Sequence, residues 1–329
     1  MYFCGEFWKY PDMQYCFCGN SGLQLPKISL GLWHNFGDVD DFDVATGMIC
    51  QAFEMGITHF DLANNYGLPP GSAEINFGKI LTKELKTHRD EMVISSKAGH
   101  LMWKGPYGDG GSRKNLMASI NQSLKRTGLE YFDIFYSHRF DQQTPVEETI
   151  QALIDIVRSG KALYAGLSKY PAAQAQTAYK MMREQNVPCL IYQGKYNLLN
   201  RVPEEDIFNL NEKYGVGFIA FSPLAQGVLS NRYLYGIPET SRAAKSHGFL
   251  QNSEVTEGLI SRIACLNEFA KTRGQSLAEM SLSWLIAKPQ VTSVIIGVSS
   301  ADQLQNNIKS LNNCSFTPDE LMLIEKILE

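Results

Sequence analysis

Asp61 and Tyr66 stand five residues apart in the stretch FDLANNYG, directly after the short run 56–60. A carboxylate leaving a strand and a phenol in an Asn- and Gly-rich loop are each ordinary alone. Two further ionisable groups occupy comparable places, Lys97 in ISSKAG and His138 in FYSHRFD. Brought into one partly dry cleft, Asp61 and Lys97 must neutralise each other, because an isolated buried charge is costly. An ammonium beside Tyr66 favours the phenolate, which predicts a lowered tyrosine pKa. Such a phenol serves as a general acid, and His138 is placed to orient a substrate oxygen. The chemistry is proton donation to a carbonyl oxygen. The residues leave open whether a hydride arrives from elsewhere or the step belongs to an isomerisation.

Only a fold that gathers strand ends can bring these four side chains together. Apolar, β-rich runs lie at 28–30, 58–61, 92–96, 132–137, 162–167, 190–193, 217–221 and 293–296. Helical patterns separate them, among them 43–55, 113–126, 146–158 and 172–185, several stopped by glycine. Strands alternating with helices predict a parallel sheet of the α/β class. Eight strands without a linker predict a closed (β/α)8 TIM barrel forming a single domain over 1–329. In such barrels chemistry sits at the C-terminal strand ends, which is where Asp61, Lys97 and His138 fall. Two regions exceed a minimal barrel. Segments 15–17 and 23–25 flank Gly19-Asn20-Ser21-Gly22 and read as a β-hairpin over the barrel floor. Residues 230–253 form a long, polar loop after the seventh barrel strand, of the kind that covers a site. Residues 1–12 read as an N-terminal tail.

Composition narrows the class. The 329 residues are 19% charged with a net charge of −4, which argues against a nucleic-acid partner. No apolar run approaches the roughly 18–20 residues of a membrane span. The N-terminus MYFCGEFWKYPD carries Glu6, Lys9 and Asp12 and lacks the apolar core of a signal peptide. Seven scattered cysteines suit free thiols in a reducing compartment, so a cytoplasmic location is expected. Cys16-Phe17-Cys18 has no second Cys or His pair nearby and reads as two packed thiols, with no metal site.

At this point the set Asp61, Tyr66, Lys97 and His138 resembles the catalytic tetrad of the aldo-keto reductase family. The resemblance runs in order through FDLANNYG, ISSKAG, FYSHRFD, GLSKY, YQGKYNLLNR, FSPLAQGVLSNRY and VIIGVSSADQLQNN, from the hairpin to about residue 307. Within the family the chain is similar to the branch that includes the potassium-channel β subunits. The resemblance implies a carbonyl reductase that holds NADPH extended across the barrel mouth. In agreement, the glycine-rich segment 105–111 contains no G-x-G-x-x-G and opens no dinucleotide-binding unit. Carried over by position, the resemblance implies that Trp33 and Asp61 border the cofactor and that Ser168 and Gln193 hold the nicotinamide carboxamide. It stacks Phe221 on the ring and lays Ser222, Leu224, Gln226, Gly227 and Ser230 along the pyrophosphate. It assigns Arg232 and Arg242 to cofactor phosphates, and Gly297, Ser299, Gln303, Asn306 and Asn307 to the adenosine end. Ser299 lies where a helix begins, a favourable place for an anion. Two positions depart from the pattern: Lys169, where many reductases carry Asn, and Arg232, where the branch often has Lys. Lysine and arginine are not interchangeable at anion contacts.

Trp33, Trp103, Tyr107 and Arg139 are expected at the substrate pocket, with His100 and Lys104 as further positive groups. The resemblance implies a small aldehyde substrate: L-glyceraldehyde 3-phosphate, reduced to glycerol 3-phosphate, with methylglyoxal-like aldehydes as others. It also implies a homo-oligomer. The alternative is a cofactor-binding, redox-sensing partner subunit with weak turnover.

Overall fold

The structure, a computed structural model, describes residues 13–234 and 256–329. A two-stranded antiparallel hairpin, β1 (Tyr15–Phe17) and β2 (Gln24–Pro26), comes first. Eight parallel strands follow and close into a barrel in sequence order. They are β3 (Ile28–Gly31), β4 (His59–Asp61), β5 (Val93–Ala98), β6 (Phe132–Ser137), β7 (Ala162–Ser168), β8 (Ile191–Lys195), β9 (Gly217–Phe221) and β10 (Ser293–Ile296). β10 bonds to both β9 and β3, which closes the ring. The expected (β/α)8 barrel and floor hairpin are thus present, with β2 one residue later than expected.

Helices α1 (Phe42–Glu54), α2 (Ser72–Ile80), α3 (Arg113–Thr127), α4 (Val146–Arg158), α5 (Ala172–Glu184) and α6 (Ile207–Tyr214) connect successive strands. α7 (Glu257–Thr272) and α8 (Leu277–Ile286) precede β10, and α9 (Ala301–Ile308) and α10 (Pro318–Leu328) follow it. Local chemistry sets their ends. The Asp41 carboxylate accepts from the Asp43 and Val44 amides and caps α1. Ser112 caps α3, and Gly128 ends it at φ 72, the left-handed region that suits glycine. On α1 the buried Ala45, Met48, Ile49, Ala52 and Phe53 recur at helical spacing and face the barrel.

The two-residue period of the strands divides the core in two. Ile134, Tyr136, Ile191, Ile219 and Ile295 form an inner cluster, plugged below by Cys18 and Leu25 of the hairpin region. Leu30, Phe60, Ile94, Phe135 and Leu167 join the helices in a larger outer layer. Gly166 is required by this packing, since a β-carbon there would lie 2.5 Å from the Tyr136 ring. The hairpin is pinned to the floor: Asn20 N donates to Gly215 O (2.9 Å) and Cys18 Sγ to Leu190 O (3.5 Å). Six cysteines among the described residues are free, and no cluster of metal-ligating side chains occurs there. No described helix is long and apolar enough to cross a membrane.

A polar chain runs through the barrel interior. The Ser29 and Ser293 hydroxyls meet at 2.6 Å, Ser29 meets His59 Nδ1 at 2.8 Å, and His59 Nε2 meets Ser95 Oγ at 3.0 Å. Ser95 Oγ then donates to Asp61 Oδ1 at 2.8 Å. His59 is fully buried, and that burial pulls its pKa down to about 4, the neighbouring Asp61 opposing and Lys97 assisting. A histidine that binds its proton less readily folded than unfolded stabilises the fold above the unfolded pKa and loses that contribution as pH falls. Stability should therefore drop by about 3 kcal/mol from this group between roughly pH 6.5 and 4. Urea unfolding of the wild type and His59→Gln across that range checks it; an identical drop in the variant would contradict the assignment to His59.

Candidate active site

The barrel brings Asp61, Tyr66, Lys97 and His138 together. Asp61 ends β4, and its neighbour strand β5 carries Lys97; the register sets Asp61 opposite Ser95. Lys97 lies inside β5, which runs to Ala98, rather than beyond the strand as the sequence implied. Both side chains are buried, Lys97 completely. The Lys97 ammonium donates to Asp61 Oδ2 (2.6 Å), to Leu62 O (2.6 Å) and to the Tyr66 hydroxyl (3.3 Å). All three of its N–H donors are therefore used. Asp61 Oδ1 receives Ser95 Oγ at 2.8 Å and Gln193 Nε2 at 3.1 Å. A buried ion pair holds only when its remaining lone pairs and protons are satisfied, and here they are.

The Tyr66 pKa moves opposite to the direction expected from sequence. It is raised well above the ordinary value, first by burial of the hydroxyl and then by the Asp61 carboxylate. The expectation weighed only the ammonium. In the fold Lys97 is already matched to Asp61, so the phenolate would enter a dry site beside a carboxylate. Burial also lowers the Lys97 pKa, against the pull of Asp61. His138 follows β6, and its ring lies edge-on to Tyr66 with centroids 5.8 Å apart. Burial first, then Lys97 and Lys169, hold its pKa well below the usual histidine range. The site thus presents a protonated phenol and a neutral imidazole at neutral pH.

The described residues among those expected around a cofactor lie at or beyond the same strand ends. Ser168 ends β7 opposite Gln193 of β8, and its buried hydroxyl has no partner. Asn307 Nδ2 on α9 is likewise buried and unpartnered, as is His138 Nδ1. Orphaned buried polar atoms are rare in proteins, and these suit a polar ligand spanning the mouth. Phe221 ends β9 half-buried. In the loop beyond it Ser222, Ala225 and Gln226 adopt φ of 53°, 46° and 60°, a strained state for non-glycine residues that clusters at functional sites. Gly227 shares that hand, Leu224 is half-buried, and Asn197 Nδ2 anchors the loop through Ser222 O at 2.8 Å. Ser230 Oγ donates to Gly227 O at 2.6 Å, and Arg232 is exposed. At the end of β10, beyond Gly297, Ser300 rather than Ser299 caps α9. Ser299 instead bonds Gln303 Oε1 through both its amide and hydroxyl, and Asn306 is exposed and accepts from Lys309. Arg242 and most of the 230–253 loop lie outside the described residues.

Among the expected substrate residues, Trp33 approaches the site, its ring 6.1 Å from that of Tyr66. Arg139 is half-buried, donating to Gly99 O (2.9 Å) and Asp109 Oδ1 (2.7 Å). Trp103 packs over Gly108 within its own loop, and Tyr107 is exposed. Among the described residues no ring contact or hydrogen bond joins Trp103 or Tyr107 to the four central groups. Ser95 and His59 went unnoticed in the sequence because a small polar residue in a strand carries no signal of what it faces.

A closed (β/α)8 barrel with a buried Asp–Lys pair under a tyrosine and a histidine defines a class, and the comparisons agree. The aldo/keto reductase family model matches residues 27–329, and the chain belongs to that family. It is 52% identical to L-glyceraldehyde 3-phosphate reductase of Escherichia coli (strain K12), over 97% of this chain and 93% of that protein. It is 34% identical to the "Probable voltage-gated potassium channel subunit beta" of Oryza sativa subsp. japonica, over 96% of this chain and 97% of that one. A protein of the same description from Arabidopsis thaliana is 33% identical over similar shares. The chain is an oxidoreductase of this family, served by a nicotinamide cofactor.

The ion pair predicts an asymmetry. Asp61→Asn strands the Lys97 ammonium in a dry site and should cost about 3–5 kcal/mol of stability. Ser95→Ala removes one donor from a carboxylate that keeps others and should cost about 1–3 kcal/mol. Urea midpoints compare the two, and equal losses would contradict the primacy of the pair.

Proposed function

We propose that the protein is an NADPH-dependent reductase of small aldehydes, with L-glyceraldehyde 3-phosphate, reduced to glycerol 3-phosphate, as the best substrate and methylglyoxal-like compounds as others. The observation that carries this reading is the Tyr66 hydroxyl, 3.3 Å from a buried ammonium that is itself locked to Asp61. A nicotinamide cofactor, when bound, supplies the hydride. In this reading Ser168 and Gln193 would meet its carboxamide, Phe221 its ring face, and Asn307 its far end. The exposed Arg232 would meet a cofactor phosphate, and the choice of NADPH follows the resemblance to the family.

The chain's own residues then handle the proton. Tyr66 keeps its hydroxyl proton through neutral pH because burial and Asp61 oppose its loss. It releases that proton only as negative charge develops on the carbonyl oxygen. Lys97 stabilises the phenolate left behind, since its ammonium already points at the phenol oxygen. Neutral His138 donates an N–H to the same carbonyl oxygen and fixes its direction. Arg139 at the rim favours a phosphorylated aldehyde; His100, expected from the sequence as a further positive group, is instead neutral, because burial and the nearby cations pull its pKa to about 4. The same reading includes a homo-oligomer in the cytoplasm, for which light scattering after size exclusion is the check.

Absorbance assays of NADPH consumption with L-glyceraldehyde 3-phosphate, glyceraldehyde and methylglyoxal test the activity. Tyr66→Phe should lower kcat about 10²- to 10⁴-fold while NADPH still binds. Turnover that survived in Tyr66→Phe would remove tyrosine as the proton donor. Tight NADPH binding without turnover in the wild type would favour a cofactor-sensing partner subunit, the role suggested by the channel-subunit relatives.

A further inference from the structure

Lys169 stands one residue beyond β7, with its backbone in the left-handed region at φ 56 and its side chain across the barrel mouth. Its ammonium lies 3.0 Å from His100 Nε2 and 5.9 Å from the centroid of the Phe221 ring. His100 in turn packs edge-on against His138, with centroids 4.5 Å apart. Lys169 is therefore one imidazole away from the histidine that faces Tyr66.

The charges around it are unevenly matched. Asp61 is committed to Lys97, and Asp109 to Arg139. Asp141 receives the Gly111 and Gln143 amides and the Thr144 hydroxyl. Among the described residues no carboxylate pairs with Lys169. Among the described residues its one hydrogen bond goes to a neutral acceptor, because burial and the nearby cations pull the His100 pKa to about 4. Lys169 is exposed, and among the described residues its other two ammonium donors face the open mouth. Partial desolvation first, then the cations Lys97 and Arg139, lower the Lys169 pKa to about 8, and it still carries its charge at neutral pH. An exposed cation held among cations, with no carboxylate partner among the described residues, is a seat for an anion.

We propose that Lys169 binds the phosphate monoester of a short aldehyde whose carbonyl oxygen lies between Tyr66 and His138, and so selects phosphorylated over plain aldehydes. His100 holds the ammonium in place from one side, and Arg139 adds its field from the other. The proposal rests on the reductase reading for the carbonyl end of the substrate. A plain aldehyde of the same carbon skeleton gains nothing from the ammonium, so the contribution appears only in the comparison of the two. A charge-assisted hydrogen bond to phosphate corresponds to about tenfold or more in affinity.

Lys169→Gln removes the charge at similar reach, and Lys169→Arg keeps it. Both retain a β-carbon at the same left-handed position, so neither adds backbone strain. The first measurement is kcat/KM with NADPH for L-glyceraldehyde 3-phosphate and for glyceraldehyde in the wild type and both variants. The ratio of the two should fall about tenfold in Lys169→Gln, through KM, and recover substantially in Lys169→Arg. The second is calorimetric titration with glycerol 3-phosphate, which needs no turnover; its Kd should weaken about tenfold in Lys169→Gln. An unchanged ratio together with unchanged glycerol 3-phosphate binding overturns the anion seat and leaves the reductase reading standing. Wild-type protein that binds glycerol 3-phosphate through Lys169, yet reduces neither aldehyde, keeps the seat and removes the reductase reading.

Discussion

A lysine ammonium with no access to water must be neutralised where it stands, and Lys97 meets that demand through Asp61. The requirement reaches far into the fold. Adjacent parallel strands β4 and β5 must be in register, so that the end of one faces the inside of the other. The second carboxylate oxygen needs donors, which come from Ser95 on β5 and Gln193 on β8. Ser95 is in turn tied to His59, Ser29 and Ser293, so four strands contribute to one hydrogen-bonded chain. Ring closure between β10 and β3 makes that chain possible, since Ser29 and Ser293 come from opposite ends of the sequence.

The same pair governs how the mouth handles protons. With Lys97 matched, its field no longer overrides the cost of ionising a buried phenol, and Tyr66 stays protonated. His138 is pressed by burial and by Lys97 and Lys169 into its neutral form. The division of labour between a proton-holding phenol and an orienting imidazole therefore follows from desolvation and from the placement of charges.

Around this centre the mouth is built for ligands rather than for closure. Polar atoms of Ser168, His138 and Asn307 are buried without partners among the described residues, and a polar ligand at the mouth would satisfy them. The loop after β9 keeps three non-glycine residues in the left-handed region, strain that the anchoring bond from Asn197 helps to sustain. Membership of the aldo/keto reductase family is consistent with both features.

Much of this was legible in the amino-acid sequence. Periodicity placed the eight barrel strands within about two residues of their observed bounds, because the period of a strand and the stop signals of a helix are local properties. Asp61, Lys97 and His138 near strand ends, with Tyr66 in the loop after Asp61, marked the four central residues, since a barrel of this class gathers strand ends at one mouth. What the chain order could not convey was depth and partnership. Trp103, read as a pocket residue, packs within its own loop, and Tyr107, read likewise, is exposed; their depth could not be read from the chain order. Ser95 and His59 read as ordinary strand residues, yet they hold Asp61 directly or through one neighbour, and Gln193, expected only at the cofactor, also donates to Asp61. The Tyr66 pKa moved opposite to expectation, because a proton's free energy depends on solvent exclusion and on every charge within reach. Residue types and local periods are written along the chain, and they determined the fold and the cast of the site. Burial and the pairing of charges exist only once distant segments meet, and the tertiary structure alone decided them.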